Sequence, residues 1–407
     1  MGIYEDLFAR GLIAQVTNEK KVKEMLNNER CVFYIGFEPT ANSLHVGHFV
    51  QILIMSRLQK AGHIPIILFG GGTGMIGDPS GKTDVRKMLS EEEINYNIEC
   101  FKKQASKFID FSEGKAIMLN NSDWLCKLNY IEFLRDVGVH FSVNKMLAAE
   151  CYKQRLEKGL TFFEMNYMVM QSYDFLILNR KYNCKLELGG DDQWSNIIGG
   201  IELVRRKDAK EVYGLTFVLL TTSQGTKMGK TEKGALWLDP GKTTPYEFYQ
   251  YWRNTDDKDV IKCFKILTFL PLEQIKEYEE KPKSDINKLK EILAFELTKL
   301  VHGEKHAVAA QEEAKRIFSE GEILSENLIL KLKKEDLNGN KIDLVSLLVK
   351  LEMSPSKSES RRLIKQGGIS INKEKTSDEN LELSSKELSK GLIIKKGKKI
   401  YKKVILE

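Results

Sequence analysis

Three stretches of this 407-residue chain carry residue types that could handle phosphate. FEPTANSLHVGH (37–48) sets His45 and His48 three residues apart at what reads as a helix start, so both rings share one face near free backbone amides. That end of a helix attracts anions, and Gly47 between the histidines lets a ligand approach the backbone. A histidine at a helix start is, by itself, as readily a satisfied neutral group, and a metal site would need further ligands that the sequence does not place. TSQGTKMGKTEKG (222–234) is a basic, glycine-bearing loop with Lys227 and Lys230, which alone reads as plain surface. GGGTGMIGDPSGKT (70–83) contains Gly72-x-Gly74-x-x-Gly77, superficially a dinucleotide fingerprint. That fingerprint must open a helix at once, whereas Asp78-Pro79-Ser80-Gly81 is turn chemistry. The same stretch nearly matches a P-loop through Gly81-Lys82-Thr83, but Ile76 stands where a glycine is required.

A fourth pattern concerns a polar ligand. Tyr167, Gln171 and Asp174 recur at i, i+4, i+7, a polar stripe on a helix whose other positions include Met168, Val169, Met170, Phe175 and Leu176. Such a stripe on an apolar helix needs partners, supplied either by an internal network or by a ligand.

These groups need a scaffold, and the chain supplies alternating strand and helix signals. CVFYIGF (31–37) and IPIILFG (64–70) are short, β-branched or aromatic runs closed by glycine, so they read as buried strands. Residues 44–61 between them have the length and content of a helix, which points to α/β layering. From about Thr244 to Glu320 the pattern is helical with almost no strand signal. At about 150 residues per domain the length allows roughly 2.7 domains. The expected division is 1–224 as an α/β catalytic domain, 225–320 as the lysine loop and a helical domain, 321–340 as a polar linker, and 341–407 as a small α+β domain.

The composition, 42% hydrophobic and 29% charged, excludes a chain disordered throughout. No apolar run approaches the 18 or so residues of a membrane span, and MGIYEDLFARGL lacks the basic start and apolar core of an export signal. Six scattered cysteines without CxxC pairs suggest neither a disulfide framework nor a zinc ribbon, so a reducing cytoplasm is expected. The net charge of +6 is unevenly placed: residues 341–407 hold 16 Lys plus Arg against 9 Asp plus Glu, or +7, leaving −1 for the rest. Within that tail Ser356-x-x-Glu359 matches a capping box opening a helix that ends at Gly367-Gly368, with ISIN as a following strand. Lys357, Arg361 and Lys365, with Arg362 beside them, give the helix a cationic face, and Lys390–Lys403 adds seven lysines and no acid. Two basic elements in one small module favour nucleic acid over a merely solvated surface.

HVGH after a first strand, with KMGKT about 180 residues later, resembles the HIGH and KMSKS signatures of class I aminoacyl-tRNA synthetases. FYIGFEPTA, GDPSGK, YMVMQSYDF and GGDDQW extend the match over essentially the whole chain to the bacterial-type tyrosyl-tRNA synthetases. The resemblance implies a Rossmann-like parallel-sheet catalytic domain, a helical domain on the anticodon side, and a C-terminal RNA-binding module. It implies that L-tyrosine is activated by ATP, with Mg2+ arriving on the nucleotide and no tightly bound cofactor or protein-held metal, and is then transferred to tRNA(Tyr). A homodimer without membrane association is implied as well.

Residue by residue, the resemblance gives Tyr34 and Asp174 the substrate phenol, and Asp78, Tyr167 and Gln171 its ammonium. Gln193 would help to position the reacting groups. His45 and His48 would contact ATP; Lys227 and Lys230 would hold its β and γ phosphates; Lys82 and Arg86 would close over them from another loop. Gly36, Glu38, Thr40, Gly47, Gly190 and Asp192 complete the expected ATP site, with Asp192 on the ribose. Lys357, Arg361, Arg362 and Lys365 are the expected RNA contacts. Two positions depart from the family: Glu38 stands where aspartate is usual, and Gly229 replaces the serine of KMSKS, which is expected to add flexibility at little loss.

Three competing readings stay in view. A tryptophanyl or other class I enzyme is opposed by the Tyr34 and Asp174 pair. An RNA-binding protein built on a degenerate synthetase is opposed by intact HVGH and KMGKT. A dinucleotide-dependent oxidoreductase is opposed by Asp78-Pro79.

Overall fold

The structure is a computed structural model that describes residues 1–80, 89–157, 159–231, 234–319, 329–372, 374–397 and 400–406. Two compact units divide the chain, Met1–His302 and Gly303–Glu407.

In the first unit, β1 (Ile13–Val16), β2 (Val32–Phe37), β3 (Ile64–Phe69), β4 (Ile117–Asn120), β5 (Leu186–Gly190) and β6 (Tyr213–Phe217) form one sheet. Its order is β1-β6-β5-β2-β3-β4, with β2 to β6 parallel and β1 antiparallel along β6. CVFYIGF and IPIILFG become β2 and β3, and the nearly unbroken burial of β3 is what a central parallel strand requires. From β2 the chain moves to β3 on one side and later reaches β5 on the other. The strand order therefore reverses between β2 and β5, and a crevice opens beyond their carboxyl ends.

Helix Val46–Lys60 follows β2 and is capped by His45. Helix Phe162–Tyr182 opens on a Thr161/Glu164 capping box, stops at Asn183 in the left-handed region, and packs along helix Trp194–Asp208. Its apolar side joins Tyr34, Ile66, Leu68 and Leu203 in the core. After β6 come a two-stranded ribbon, β7 (Lys230–Thr231) with β8 (Gly234–Ala235), and helices Pro245–Arg253, Val260–Leu267, Leu272–Glu279 and Ile286–His302.

The second unit contains helix Glu304–Ser319 and nine further elements that bear on the tail. β9 (Ile329–Leu332), β10 (Lys341–Asp343), β11 (Ile369–Ile371), β12 (Glu374–Thr376), β13 (Glu382–Ser384), β14 (Leu392–Lys396) and β15 (Ile400–Leu406) are its strands. Five form the sheet β12-β11-β14-β15-β9, and β10 pairs with β13. Helices Leu344–Lys350 and Lys357–Lys365 contribute Leu344, Leu348 and Ile364 to a core shared with Ile369, Ile394 and Val404. β9 falls within the stretch 321–340 expected to be linker; it runs parallel to β15 and supplies Leu332 to the same core. Among the described residues no helix is long and apolar enough to cross a membrane.

The tail helix begins and ends as its sequence suggests, with Gly367 at φ 66°. Its expected capping box is half formed. Ser356 Oγ accepts the Glu359 amide, but the Glu359 carboxylate instead takes a hydrogen bond from Arg362 at 2.7 Å. Lys365 pairs with Glu379, so Lys357 and Arg361 are the cations of that face without an ion pair among the described residues. Lys396 and Lys402 are committed elsewhere, to the carbonyls of Met353 and Leu351.

Candidate active site

A cavity of about 440 Å³ occupies the crevice between β2 and β5. Tyr34, Gly36 and Glu38 reach it from β2 and its end; Gly190, Asp192 and Gln193 reach it from β5 and the turn beyond. His45, Gly47 and His48 enter from the start of helix Val46–Lys60, and Tyr167, Gln171 and Asp174 from the stripe on helix Phe162–Tyr182. Asp78 and Lys227 complete the expected residues that it gathers. Thr40 is exposed and stands outside the lining. Lys82 and Arg86 lie outside the described residues, as does the Lys230 side chain, although the Lys230 backbone forms part of β7.

The stripe answers the question its sequence posed, because Tyr167 and Gln171 each donate to a neighbouring carboxylate and Asp174 accepts from two donors. Tyr167 Oη donates to Glu38 Oε1 at 2.7 Å, and Gln171 Nε2 donates to Glu187 Oε1 at 2.9 Å. Asp174 accepts from Asn121 Nδ2 at 2.9 Å and from Trp124 Nε1 at 2.7 Å. Asn121 also donates to Thr73 Oγ1, which donates to Glu38 Oε1, so one chain of hydrogen bonds joins Asp174 to Tyr167. Gly70 makes room for it, since a Cβ there would lie 2.5 Å from Glu38 Oε1 and 2.6 Å from Thr73 Oγ1. The longer carboxylate at position 38 is thus clamped by two hydroxyls. Across the cavity Asp78 accepts the Ser80 amide at 2.8 Å and Gln193 Nε2 at 2.6 Å.

Burial dominates the electrostatics of the floor. It pushes the Asp174 carboxyl up to about 8, despite the opposing Asn121 and Trp124 donors, and Glu187 up to about 7. Burial thus disfavours the ionised form of Asp174, which suits a neutral hydroxyl ligand better than an ion. Tyr34 Oη is buried between Glu187 and Asp174; it interacts with the Glu187 carboxyl without forming a hydrogen bond of good geometry, so it keeps capacity for a ligand. The Asp192 carboxyl is also raised, by burial and by Asp78, while Lys227 opposes the rise.

At the other end the two histidine rings stack 3.9 Å apart. His45 Nδ1 accepts the Gly47 amide at 3.0 Å, and His48 Nδ1 accepts the His45 amide at 3.2 Å. Both Nδ1 atoms act as acceptors, which assigns the ring hydrogens to Nε2 and makes each ring a donor on its far side. The pair thus caps the start of helix Val46–Lys60 with both rings on one side.

Comparison with known proteins agrees with this geometry. Residues 26–319 match the family described as tRNA synthetases class I (W and Y). The chain belongs to the class I tRNA synthetases. Residues 326–404 of this synthetase match the Tyrosine--tRNA ligase SYY-like C-terminal domain. The tyrosine--tRNA ligase of Acetivibrio thermocellus is 59% identical over 405 residues, 99% of each chain. A C-terminally truncated mitochondrial tyrosyl-tRNA synthetase of Aspergillus nidulans has a similar structure, with a TM-score of 0.69 and 28% identity over 78% of this chain and 94% of that one. The fold is shared too with the Archaeoglobus fulgidus tyrosyl-tRNA synthetase solved with L-tyrosine, at a TM-score of 0.58 and 19% identity over 76% of this chain and 99% of that one.

The synthetase site includes residues that sequence reasoning missed. Asn121, Trp124 and Thr73 orient Asp174 and Glu38 but come from helical turns of three or four residues, or the cap of one, too short to give a periodic signal. Glu187 had one: a carboxylate inside LELGG, a strand buried at every position, must find a partner.

Proposed function

We propose that this synthetase is a tyrosine--tRNA ligase, and the observation that carries the reading is the buried Tyr34 hydroxyl beside Asp174 at the cavity floor, which makes no hydrogen bond of good geometry within the protein. A phenol would satisfy both groups. The ammonium of the same ligand has three donors, and Tyr167, Gln171 and Asp78 offer three acceptors whose own donors or remaining lone pairs are already fixed. The carboxylate then points toward the histidine end, where ATP phosphates would meet the Nε2 hydrogens and the lysine loop.

In the first step a carboxylate oxygen of tyrosine attacks the α-phosphorus, the bond to the β-phosphate oxygen breaks, and pyrophosphate leaves. In the second, a ribose hydroxyl of the terminal adenosine of tRNA(Tyr) attacks the carbonyl carbon, AMP leaves, and the hydroxyl proton is released. Neither step needs a protein nucleophile. In-line positioning and neutralisation of developing phosphate charge do the catalysis. His45, His48, Lys227 and Lys230 supply that neutralisation, with Lys82 and Arg86 from the second loop. Gly36, Gly47 and Gly190 allow backbone approach to the nucleotide, and Asp192 takes the ribose. Gln193, tied to Asp78, places the reacting groups. Among the described residues no cluster of three His, Cys, Asp or Glu side chains is arranged to hold a metal, which favours Mg2+ entering on ATP.

The basic second unit would grip tRNA, with Lys357 and Arg361 ready for phosphate and Arg362 and Lys365 exchanging their acidic partners for it. Among the described residues, seven of the eleven exposed large apolar side chains, including Tyr130, Ile131, Phe162 and Phe163, fall between residues 130 and 163. That concentration supports a homodimer through this stretch. All six cysteines are free, which supports the cytoplasm as the site of action.

Pyrophosphate exchange into ATP tests the activity, with tyrosine, phenylalanine and tryptophan supplied in turn. Phenylalanine would desolvate the floor without giving Tyr34 or Asp174 the hydrogen bond that a phenol supplies, at about 1–3 kcal/mol each, so its kcat/KM is expected to fall on the order of 10² to 10⁴ below that of tyrosine. Exchange that prefers tryptophan, or no exchange with tyrosine, overturns the reading.

A further inference from the structure

The lysine loop is fastened at its third position. Gly229 is buried in the left-handed region at φ 83°, and a Cβ there would overlap the Val46 side chain. Its amide donates to Tyr251 Oη at 2.7 Å, and its carbonyl accepts the Leu236 amide at 2.7 Å. The Leu236 carbonyl in turn accepts the Val46 amide at 3.0 Å, and Val46 is the first residue of the histidine-capped helix. A continuous path of three hydrogen bonds therefore runs from helix Pro245–Arg253, which carries Tyr251, through the loop to the HVGH motif. Two lesser contacts tie the same loop to helix Val260–Leu267. Lys262 Nζ donates to the Thr221 carbonyl at 2.8 Å, and Cys263 Sγ lies 3.9 Å from Met228 Sδ. In this docked arrangement Lys227, two residues before Gly229, lines the cavity.

We infer that Tyr251 is a positioning residue, whose hydroxyl holds the KMGKT loop docked on HVGH so that Lys227 faces the ATP phosphates. Tyr251 does not line the cavity, so it acts through the loop and touches no reacting atom. Glycine at position 229 is what permits the clip. The flexibility expected of Gly229 is replaced by a specific close approach, because any side chain would be pushed off Val46. This inference rests on the activation reaction proposed above, and its test has an arm that does not.

Tyr251→Phe removes only the hydroxyl; the ring keeps its edge-on packing against Trp252, with centroids 5.1 Å apart. In the ligand-free full chain, amide hydrogen exchange over residues 226–237 is expected to quicken about five- to tenfold, the worth of one neutral hydrogen bond. Gly229→Ala, strained at this φ and overlapping Val46, is expected to release the same segment. Unchanged exchange in both variants overturns the clip. In pyrophosphate exchange, Tyr251→Phe is expected to lower kcat by a similar factor, leave the KM for tyrosine unchanged, and add nothing in a Lys227→Ala background. Losses that multiply in the double variant, or a shift confined to tyrosine binding, overturn the positioning role. If the unaltered chain shows no tyrosine-dependent exchange the proposed function fails, and if Lys227→Ala exchanges at the full rate the phosphate role of Lys227 fails; in either case hydrogen exchange still decides whether Tyr251 holds the loop.

Discussion

A chain ended after residue 325 is expected to activate tyrosine at close to the full rate while charging tRNA at least about a hundredfold more slowly. The cut falls between the two matched segments, 26–319 and 326–404, and leaves every described residue of the cavity in place. It removes the strands of the second unit together with Lys357, Arg361, Arg362 and Lys365. Phosphate contacts act mainly through counterion release, so losing about four of them at roughly 1 kcal/mol each costs two to three powers of ten in RNA affinity at moderate salt. The full chain should accordingly charge less well as salt rises, with a steeper slope than the truncate. Pyrophosphate exchange and tRNA charging measured on the same folded truncate decide the matter. Equal loss of both activities would show that the second unit serves the catalytic unit and not the RNA.

Replacing Lys227 and Lys230 with alanine is expected to slow adenylate formation by about 10² to 10⁴, the range for removing one or two groups that stabilise charge developing in the transition state. Tyrosine affinity should hardly move, because its ligands lie on the stripe and the floor, and Lys227 enters from the opposite rim. On the proposed reaction the two lysines would meet phosphate oxygens whose charge rises as the bond to the β-phosphate lengthens. Their interaction is therefore stronger in the transition state than in bound ATP, and the loss falls on the rate more than on binding. Stopped-flow adenylate formation alongside calorimetric tyrosine binding separates the two. A variant that binds tyrosine poorly but forms adenylate at the normal rate would assign the loop another task.

The catalytic half was legible in the sequence wherever chemistry coincided with a local repeat. His45 and His48 at a helix start, and Tyr167, Gln171 and Asp174 at helical spacing, sit where their patterns put them and face one cavity. CVFYIGF and IPIILFG were readable because a strand buried on both faces is apolar along its length. What escaped depends on pairing across long stretches of chain. Asn121 and Trp124 reach Asp174 from the short helix Ser122–Leu125 and its cap, about 50 residues away, and nothing in NNSDWL announces that contact. The segment Ile329-Leu330-Lys331-Leu332 looks like polar linker because it is short and flanked by charge, and it becomes a strand only against β15 at the far end of the chain. The Ser356 box was read from spacing alone, and a closer competitor, Arg362, drew its glutamate away.

The hydrogen bond from the Trp124 indole to Asp174 has an optical consequence. It puts one of the four tryptophans against the floor of the cavity, while Trp237, T-shaped to the His45 ring and capped by Lys242, stands at the phosphate end. Emission from the first responds to the field around Asp174, and emission from the second to charge arriving beside His45. With each indole silenced in turn as phenylalanine, the unlabelled protein reports which substrate has bound and in what order, so its two ends can be timed separately by light.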